Sequence, residues 1–333
     1  MASAPNEMTP MRRQYFEIKE KNKDCILFFR LGDFYEMFDE DAKLAARELD
    51  LTLTTRDRNK PKEEQTPMCG VPYHSVDAYI ARLVSKGYKV AICEQMEDPT
   101  QAKGIVERDI SRIVTPGTVI ESCMLDDSKN NYIACLYGNN EKYGLSFCDV
   151  STGAFFATVC ADAQSAASEL GRFSPSEVIR IGSDINCTIL EDALFNRLNC
   201  CVDEGKEEVM SLDQAQQLLE NHFEQPLASL GLTGLPAAII SSATLLQTLL
   251  FVQKNDLKHI RELQYYTTGR FIVSGLTLRS LIHFEFIFVY GVRKCSSFIL
   301  LQVVDQFSQH HLLKRLSFLH GISLPPLSKI RCP

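Results

Sequence analysis

Gly32 interrupts a short apolar segment, and this break constrains the fold of the first part of the chain more than any other feature. Residues 25–30 (CILFFR) have the length and the β-forming side chains of a buried strand. From Glu36 onward, Met37, Leu44 and Leu49 recur at a spacing that predicts an amphipathic helix. Phe34 is therefore expected at a junction between a strand and a helix.

Three aromatic residues, Phe34, Tyr35 and Phe38, lie within five positions of this break. Most aromatic side chains beside an apolar strand belong to the core. Three of them this close together cannot all face inward from one element. We therefore expect at least one to project into solvent, next to the carboxylate of Glu36.

Seven motifs follow one another along the first part of the chain: TPM at 9–11, QY at 14–15, FFR at 28–30, GDFYEMF at 32–38, PMCGVPYH at 67–74, VAICEQ at 90–95 and RIVTPGT at 112–118. In these motifs and in their order, residues 9–117 resemble the amino-terminal domain of the bacterial MutS family of DNA mismatch recognition proteins. Each motif is weak alone, but their shared order over a hundred residues makes a chance match very improbable.

The resemblance implies a partner and two site residues. The Phe-x-Glu signature of the family falls on Phe34 and Glu36, so Phe34 is expected to wedge beside a mispaired base and Glu36 to hydrogen-bond that base. The implied partner is double-stranded DNA that contains mismatched or unpaired bases. No catalytic residue is expected.

The net charge of −7 is unevenly distributed along the chain. Residues 1–116 carry 18 Lys and Arg against 20 acids, residues 117–264 carry 9 against 20, and the rest carries 8 against 2. Local basic clusters are the feature that phosphate contacts require. The candidates for DNA backbone contact are Arg56, Arg58, Lys60, Lys62, Arg108 and Arg112, and a solvated loop is the alternative interpretation for each.

The chain is long enough for two or three domains, and its pattern predicts a multidomain α/β protein. We expect a mixed α/β mismatch-recognition domain over 1–116 and a linker over 117–131. Three β-rich runs at 132–137, 143–150 and 154–159 then predict consecutive antiparallel strands, followed by α/β alternation. This order favours a ribonuclease-H-like connector domain over 132–255, and the stretch resembles the connector domain of the same family.

Asp149 supports a different functional hypothesis, because an Asp on the first hairpin of a ribonuclease-H-like sheet is where nucleases hold a metal and some kinases hold phosphate. Two-metal chemistry needs several converging carboxylates. Glu169, Glu177 and Asp184 follow, but their surroundings predict helix surface or loop. A turn-forming role for Asp149 is favoured, with a nuclease, a phosphotransferase or a module that only binds repair partners as alternatives.

From 256 to 333 the sequence predicts the start of an all-helical core or lever domain, with helical patterns that include residues 257–260. The resemblance weakens from about residue 272, where truncation, a frameshift and real divergence are all open explanations. The Gly-x-x-x-x-Gly-Lys-Ser/Thr loop with which the family binds ATP is absent from the sequence. We therefore expect no enzymatic activity and no cofactor, although complete family members use ATP and magnesium.

The remaining expectations concern redox state, location and assembly. The 12 cysteines are scattered without a metal-binding spacing, so reduced thiols and no metal site are predicted. No signal peptide and no uncharged apolar run of membrane-spanning length is evident, which favours a cytoplasmic protein, nucleoid-associated by resemblance. Complete family members are homodimers, and the dimerisation region is expected to be missing here, whereas repair proteins could still dock on the connector.

Overall fold

The computed structural model describes residues 9–55, 61, 65–97, 104–121, 124–125, 129–139, 142–183, 185–205 and 209–268. These residues form two six-stranded sheets with helices packed on them. The fold is therefore mixed α/β, as predicted, and it contains two sheets. The divergent tail from about residue 272 lies outside the described residues.

The first sheet combines parallel and antiparallel pairs. Its strand order is β3 (Thr54–Thr55), β4 (Pro67–Pro72), β2 (Phe34–Phe38), β1 (Cys25–Leu31), β5 (Lys89–Gln95) and β6 (Arg108–Val114). Strand β1 is antiparallel to β2 and parallel to β5. The helices of this part are α1 (Pro10–Lys21), α2 (Asp39–Leu49) and α3 (Val76–Val84), with a 3₁₀ turn at Tyr73–Ser75.

Side-chain alternation along the central strands gives the first sheet two apolar faces. On one face, Tyr15 and Ile18 of α1 pack against Leu27, Phe29 and Phe38. Helices α2 and α3 cover the other face, which includes Phe28, Tyr35 and Met37. Because helices cover both faces, β1 is buried on both sides, which explains its continuous apolar sequence.

The second sheet begins with the three antiparallel strands that the sequence predicts. Its order is β11 (Cys201–Glu204), β10 (Glu177–Gly182), β7 (Tyr132–Gly138), β8 (Tyr143–Asp149), β9 (Ala154–Cys160) and β12 (Leu263–Tyr265). Strands β7, β8 and β9 form an antiparallel meander, while β10 is parallel to β7 and β11 to β10. Its helices are α4 (Ala163–Phe173), α5 (Thr188–Glu191), a π-helical turn (Asp192–Leu198), α6 (Leu212–Phe223) and α7 (Pro236–Gln253).

Helix α7 packs across strands β7, β8 and β9 of the second sheet. Its 18 residues are uncharged, with a mean hydropathy of 1.4, so by length and composition it could span a membrane. This differs from the expectation that no uncharged apolar run reaches that length. The structure buries 67% of it, with Ala238, Leu245 and Leu249 inside the core of the second sheet. A helix that is apolar on all sides is typical of such a buried position.

The helix predicted over residues 257–260 is wrong. Helix α7 ends where Lys254 adopts a left-handed conformation and donates its backbone N–H to Leu250. Leu257 also has a positive φ, of 48°, and its N–H donates to Asn255. The chain then turns into β12, because Leu257, Ile260 and Leu263 pack into the same core as α7. Whether helices follow beyond Thr268 stays a prediction.

Buried and part-buried polar contacts join the two sheets. Glu177, at the start of β10, accepts hydrogen bonds from the Thr115 hydroxyl and from the Gly117 N–H. Lys89 of β5 forms an ion pair with Asp203 of β11, with 2.6 Å between the charged atoms. Gln253 donates to the Thr118 carbonyl over 3.0 Å. The predicted linker therefore begins with a turn that is held by the second sheet.

Gly144 provides a test of how closely α7 packs on β8. A Cβ at Gly144 would lie 2.0 Å from the Ala237 carbonyl oxygen, whereas a Cβ at Gly171 of α4 would contact nothing within 4 Å. We expect Gly144→Ala to lower the free energy of unfolding by about 3 kcal/mol, because the helix backbone must shift. Gly171→Ala, the control, should raise it by up to about 1 kcal/mol. Equal urea-denaturation midpoints for the two variants would contradict this packing.

Glu177 predicts a pH dependence of stability. Burial raises the pKa of Glu177 above its ordinary value of 4.5, and this outweighs the lowering effects of the Thr115 hydrogen bond and the Lys89 charge. The folded chain therefore binds this proton more tightly than the unfolded chain, so the stability that Glu177 contributes is lost as pH rises above 4.5.

Glu177→Gln removes this titration and keeps an acceptor for Gly117. Relative to the wild type, we expect the variant to gain stability progressively as pH is raised from 4.5 towards 7. Urea denaturation across that pH range measures the difference. Glu224→Gln, an exposed residue after α6, is the control and should follow the wild type. A Glu177→Gln curve parallel to the wild type would show that the carboxyl is not perturbed.

Candidate nucleic-acid interface

Phe34 lies at the start of β2, directly after a tight turn. Strands β1 and β2 pair from Leu31 opposite Phe34, which leaves Gly32 and Asp33 as the two turn residues. Gly32 has a φ of +59°, and a positive φ at the first of two turn residues is what a type II′ hairpin requires. A residue with a Cβ is strained in this conformation, so glycine suits the position.

The predicted junction between a strand and a helix is therefore corrected to a β-hairpin. The chain reverses at Gly32 and continues as β2, and α2 begins only at Asp39. The apolar residues of this segment fit a helix and a strand alike over so short a distance. Pairing of β2 with both β1 and β4 decides in favour of the strand.

Burial alternates along β2 and separates the signature residues from the core. Tyr35, Met37 and Phe38 are at most 4% exposed, whereas the Phe34 side chain is 47% exposed. One of the three clustered aromatic residues projects, as predicted. Phe34 and Glu36 share one face of the strand because they are two positions apart, with Cα atoms about 7 Å apart.

Glu36 lies part-buried at the middle of β2. It is paired with Phe29 of β1 and with Gly70 of β4. Glu36 lies on the face of the sheet that α1 covers, and α1 reaches this face at Phe38, further along β2. The Phe34 end of this face extends past the core contacts of α1, so the exposed Phe34 ring lies beside the part-buried carboxylate of Glu36.

Further exposed apolar side chains lie at the same end of the first sheet. Tyr73 follows Pro72, which pairs with Phe34, and Met96 follows the end of β5, the parallel neighbour of β1. Their exposed fractions are 44% for Tyr73 and 62% for Met96. Neither residue is among the site residues predicted from the sequence. The pairing of β2 with β4 brings Tyr73 to the signature, and the parallel pairing of β1 with β5 brings Met96 there. Neither pairing can be read from local sequence.

The structure places the basic candidates in different settings. Arg56, Arg58, Lys60 and Lys62 lie outside the described residues. Arg112 of β6 forms an ion pair with Glu121.

Arg108, the first residue of β6, is only 8% exposed. Its guanidinium donates to the carbonyls of Arg30 and Val106 and to the side chain of Gln14, over 2.7 to 3.1 Å. Burial lowers the pKa of Arg108. Arg108 thus supports the strand that carries the turn, and DNA contacts by Arg108 and Arg112 stay predictions.

Asp149 has a structural role in its turn. One carboxylate oxygen accepts hydrogen bonds from the Ser151 N–H, the Ser151 hydroxyl and the Thr152 N–H. This pattern is an Asx-type turn that closes the β8–β9 hairpin. The favoured interpretation of Asp149 as a turn residue is confirmed.

The other carboxylates of the second domain are engaged elsewhere. The sequence predicts Glu177 on a helix surface or in a loop, but Glu177 lies on strand β10, next to β7. It is buried there by the Thr115–Gly117 turn. Glu169 of α4 accepts a hydrogen bond from the Tyr266 hydroxyl, and Asp184 lies outside the described residues. Within the part of the chain that the structure describes, no three His, Cys, Asp or Glu residues are grouped as metal ligands.

The described cysteines are free thiols. Burial raises the pKa of Cys69 to about 11 and that of Cys93 to about 12. Both thiols are therefore protonated at neutral pH and unreactive as nucleophiles. They pack as small apolar side chains against the first sheet.

Comparison with known proteins covers nearly all of the described residues. Residues 9–123 match the family model of MutS domain I, and residues 131–261 match that of MutS domain II. The proteins named DNA mismatch repair protein MutS from Ruminiclostridium cellulolyticum, Methanococcoides burtonii and Acetivibrio thermocellus are 46%, 44% and 44% identical over 276, 284 and 275 residues. These matches cover 82%, 83% and 82% of this chain.

The chain spans about a third of these relatives, because each match covers 31% of the relative's own length. The hairpin with Phe34 and Glu36 lies within the domain I match, and Asp149 lies within the domain II match. The chain therefore belongs to the MutS family, and its matched residues are MutS domains I and II.

Proposed function

We propose that this chain acts in DNA mismatch repair by binding duplex DNA at mismatched or unpaired bases. The observation that carries the proposal is the exposed Phe34 ring beside Glu36 on one face of β2, next to the turn of the β1–β2 hairpin. The relatives' name, DNA mismatch repair protein, supports the same function. The partner is double-stranded DNA, and the location is the bacterial cytoplasm.

Phe34 is proposed to act as a wedge. An apolar side chain inserted from the minor groove unstacks a base step and kinks the duplex, which costs about a few kcal/mol per step in paired DNA. A mismatched base has already lost part of its stacking and pairing, so the same deformation costs less there. Discrimination then depends on deformability, which suits a protein that meets many kinds of mismatch.

Glu36 is proposed to penalise paired DNA. A carboxylate near the phosphates is repelled unless it accepts a hydrogen bond from a base N–H. A displaced base can offer that donor, whereas a stacked and paired base cannot. Because Glu36 lies two residues from Phe34 on the same face, one insertion would bring both side chains to the same base step.

Arg56, Arg58 and Lys60 are proposed to contact the DNA backbone from the loop between β3 and β4. Arg108 and Arg112 would have to exchange their protein partners for phosphate, so they are weaker candidates. Phosphate contacts of this kind supply affinity without sequence preference.

The second domain is proposed to be a ribonuclease-H-like connector. An antiparallel meander followed by two parallel strands on the β7 side, in the order β9–β8–β7–β10–β11, supports this layout. A nuclease or phosphotransferase receives no support from the described carboxylates, since Asp149 is held in its turn. Docking of downstream repair proteins on this domain and homodimer formation are proposed for complete family members only.

The chain itself is proposed to act without ATP hydrolysis. Its sequence contains no Gly-x-x-x-x-Gly-Lys-Ser/Thr loop to bind ATP and magnesium. A measured ATPase turnover by the purified chain would refute this part of the proposal.

Phe34→Ala tests the wedge. Stacking of a base on an aromatic ring contributes about 1–3 kcal/mol, so we expect affinity for a mismatched duplex to fall about tenfold. Affinity for paired DNA should change little. Fluorescence anisotropy with matched and mismatched duplexes over a salt series measures both. Phe195→Ala removes a ring that is 50% exposed on the second domain and serves as the matched control. An unchanged mismatch preference in Phe34→Ala would refute the wedge.

Glu36→Gln tests the penalty on paired DNA. Removing one charge near the phosphates should strengthen binding to a paired duplex by about threefold to fivefold at low salt, on the scale of about 1 kcal/mol for one charge pair in water. The mismatch preference should decrease accordingly. Glu40→Gln, an exposed carboxylate on α2, is the control. Equal gains from the two variants would indicate a general charge effect and not a role for Glu36.

A further inference from the structure

A cluster of four side chains lies behind the turn that presents Phe34. It consists of Arg30 of β1, Tyr35 of β2, Glu94 of β5 and Tyr73 of the 3₁₀ turn, and we call it the Arg30 cluster. Arg30 and Tyr35 are cross-strand partners. Because side chains alternate along a strand, Tyr35 lies on the opposite face of β2 from Phe34 and Glu36. The cluster therefore backs the proposed DNA-facing residues without being part of them.

Arg30 connects the members of the cluster. Its guanidinium carbon lies 3.9 Å from the centre of the Tyr73 ring and 5.4 Å from that of the Tyr35 ring. Nη1 of Arg30 is 3.8 Å from a carboxylate oxygen of Glu94. The Tyr35 hydroxyl donates to the other oxygen of Glu94. Burial and this hydrogen bond raise the pKa of Tyr35, so the hydroxyl stays a donor at neutral pH.

The cluster also binds both carbonyl groups of the two-residue turn. Nε of Arg30 donates to the Gly32 carbonyl over 2.5 Å. The backbone N–H of Tyr73 donates to the Asp33 carbonyl over 3.0 Å. Phe34 is the next residue in the chain. The turn cannot tilt away from its observed position without breaking one of these bonds or separating Arg30 from the Tyr73 ring.

A wedge is useful only when its support is stiffer than the structure that it tests. The free-energy costs of deforming a paired step and a mismatched step differ by at most about a few kcal/mol. A turn that tilted under load would let Phe34 retreat from both steps, so this difference would be lost. The planar guanidinium of arginine is preorganised, so it loses less side-chain freedom per hydrogen bond than a lysine ammonium would.

We propose that Arg30 is a positioning residue that, together with Glu94, Tyr35 and Tyr73, holds the Gly32–Asp33 turn so that Phe34 meets the duplex as a rigid wedge. This inference rests on the proposed function. It assigns part of the mismatch discrimination to side chains that act by holding the turn.

Hydrogen exchange of the 333-residue chain without DNA tests the positioning role independently of binding. The reporter is the Tyr73 amide, which donates to Asp33. In Arg30→Ala we expect this amide to exchange about tenfold faster, while core amides of β5 and β8 stay unchanged. Arg82→Ala is the matched control, because Arg82 of α3 also donates to backbone carbonyls and pairs with a carboxylate, Asp50. An unchanged Tyr73 amide in Arg30→Ala would overturn the proposal.

Anisotropy with matched and mismatched duplexes then links the cluster to discrimination. Arg30→Ala should lower the ratio of mismatched to matched affinity by about fivefold to tenfold and leave the salt slope unchanged. Arg30→Lys should behave in the same way, because lysine keeps the charge but not the stacking plane. A salt slope reduced by about one, with equal loss on both duplexes and rescue by lysine, would show a phosphate contact and overturn the positioning role.

Tyr73 provides variants that keep the test decisive if Arg30→Ala does not fold. Tyr73 is 44% exposed, so its replacement should leave the core intact. Tyr73→Leu removes the stacking surface and should reproduce the effects of Arg30→Ala, whereas Tyr73→Phe keeps the ring and should match the wild type. A wild-type chain without mismatch preference would refute the proposed function, and the exchange measurement would still decide whether Arg30 holds the turn.

Discussion

The antiparallel pairing of β1 with β2 around Gly32 is the constraint on which the proposed interface depends. Tyr35 and Met37 enter the core under α2 and α3, which fixes the register of β2. Phe34 and Glu36 must then face the other side, where α1 covers Phe38 but not the end that carries the turn. A shift of one residue would bury the signature and expose the core. The exposed ring is thus a consequence of core packing one residue away.

The second sheet provides a defined attachment for the first. The buried Glu177 receives the Thr115–Gly117 turn, and Lys89 pairs with Asp203 in a part-buried setting. Leaving any of these groups without its partner would be costly, which favours one arrangement of the junction. The direction of the hairpin relative to the second domain is therefore set by specific contacts and not by the composition of the linker.

Much of the fold could be predicted from local sequence. The runs at 132–137, 143–150 and 154–159 alternate with turns rich in Gly and Asn, and they form β7, β8 and β9. Asp149 followed by Ser and Thr predicted the turn that the structure contains. The segment after Gly32 was harder, because a few apolar positions fit both a helix and a strand. The core packing of Leu257 and Ile260 likewise overrode a helical pattern that was short.

The sequence by itself determined the family, through ordered motifs around Phe34 and Glu36, and the order of elements in the second domain, because these are properties of neighbours along the chain. Only the tertiary structure decided which aromatic is exposed and that Glu177 lies buried on a strand. It also decided that Arg108 supports the end of the sheet, and that Tyr73, Met96 and the Arg30 cluster surround the turn. Each of these depends on strand pairing and on packing between separate elements, and burial and charge environment arise from such contacts and not from local propensity.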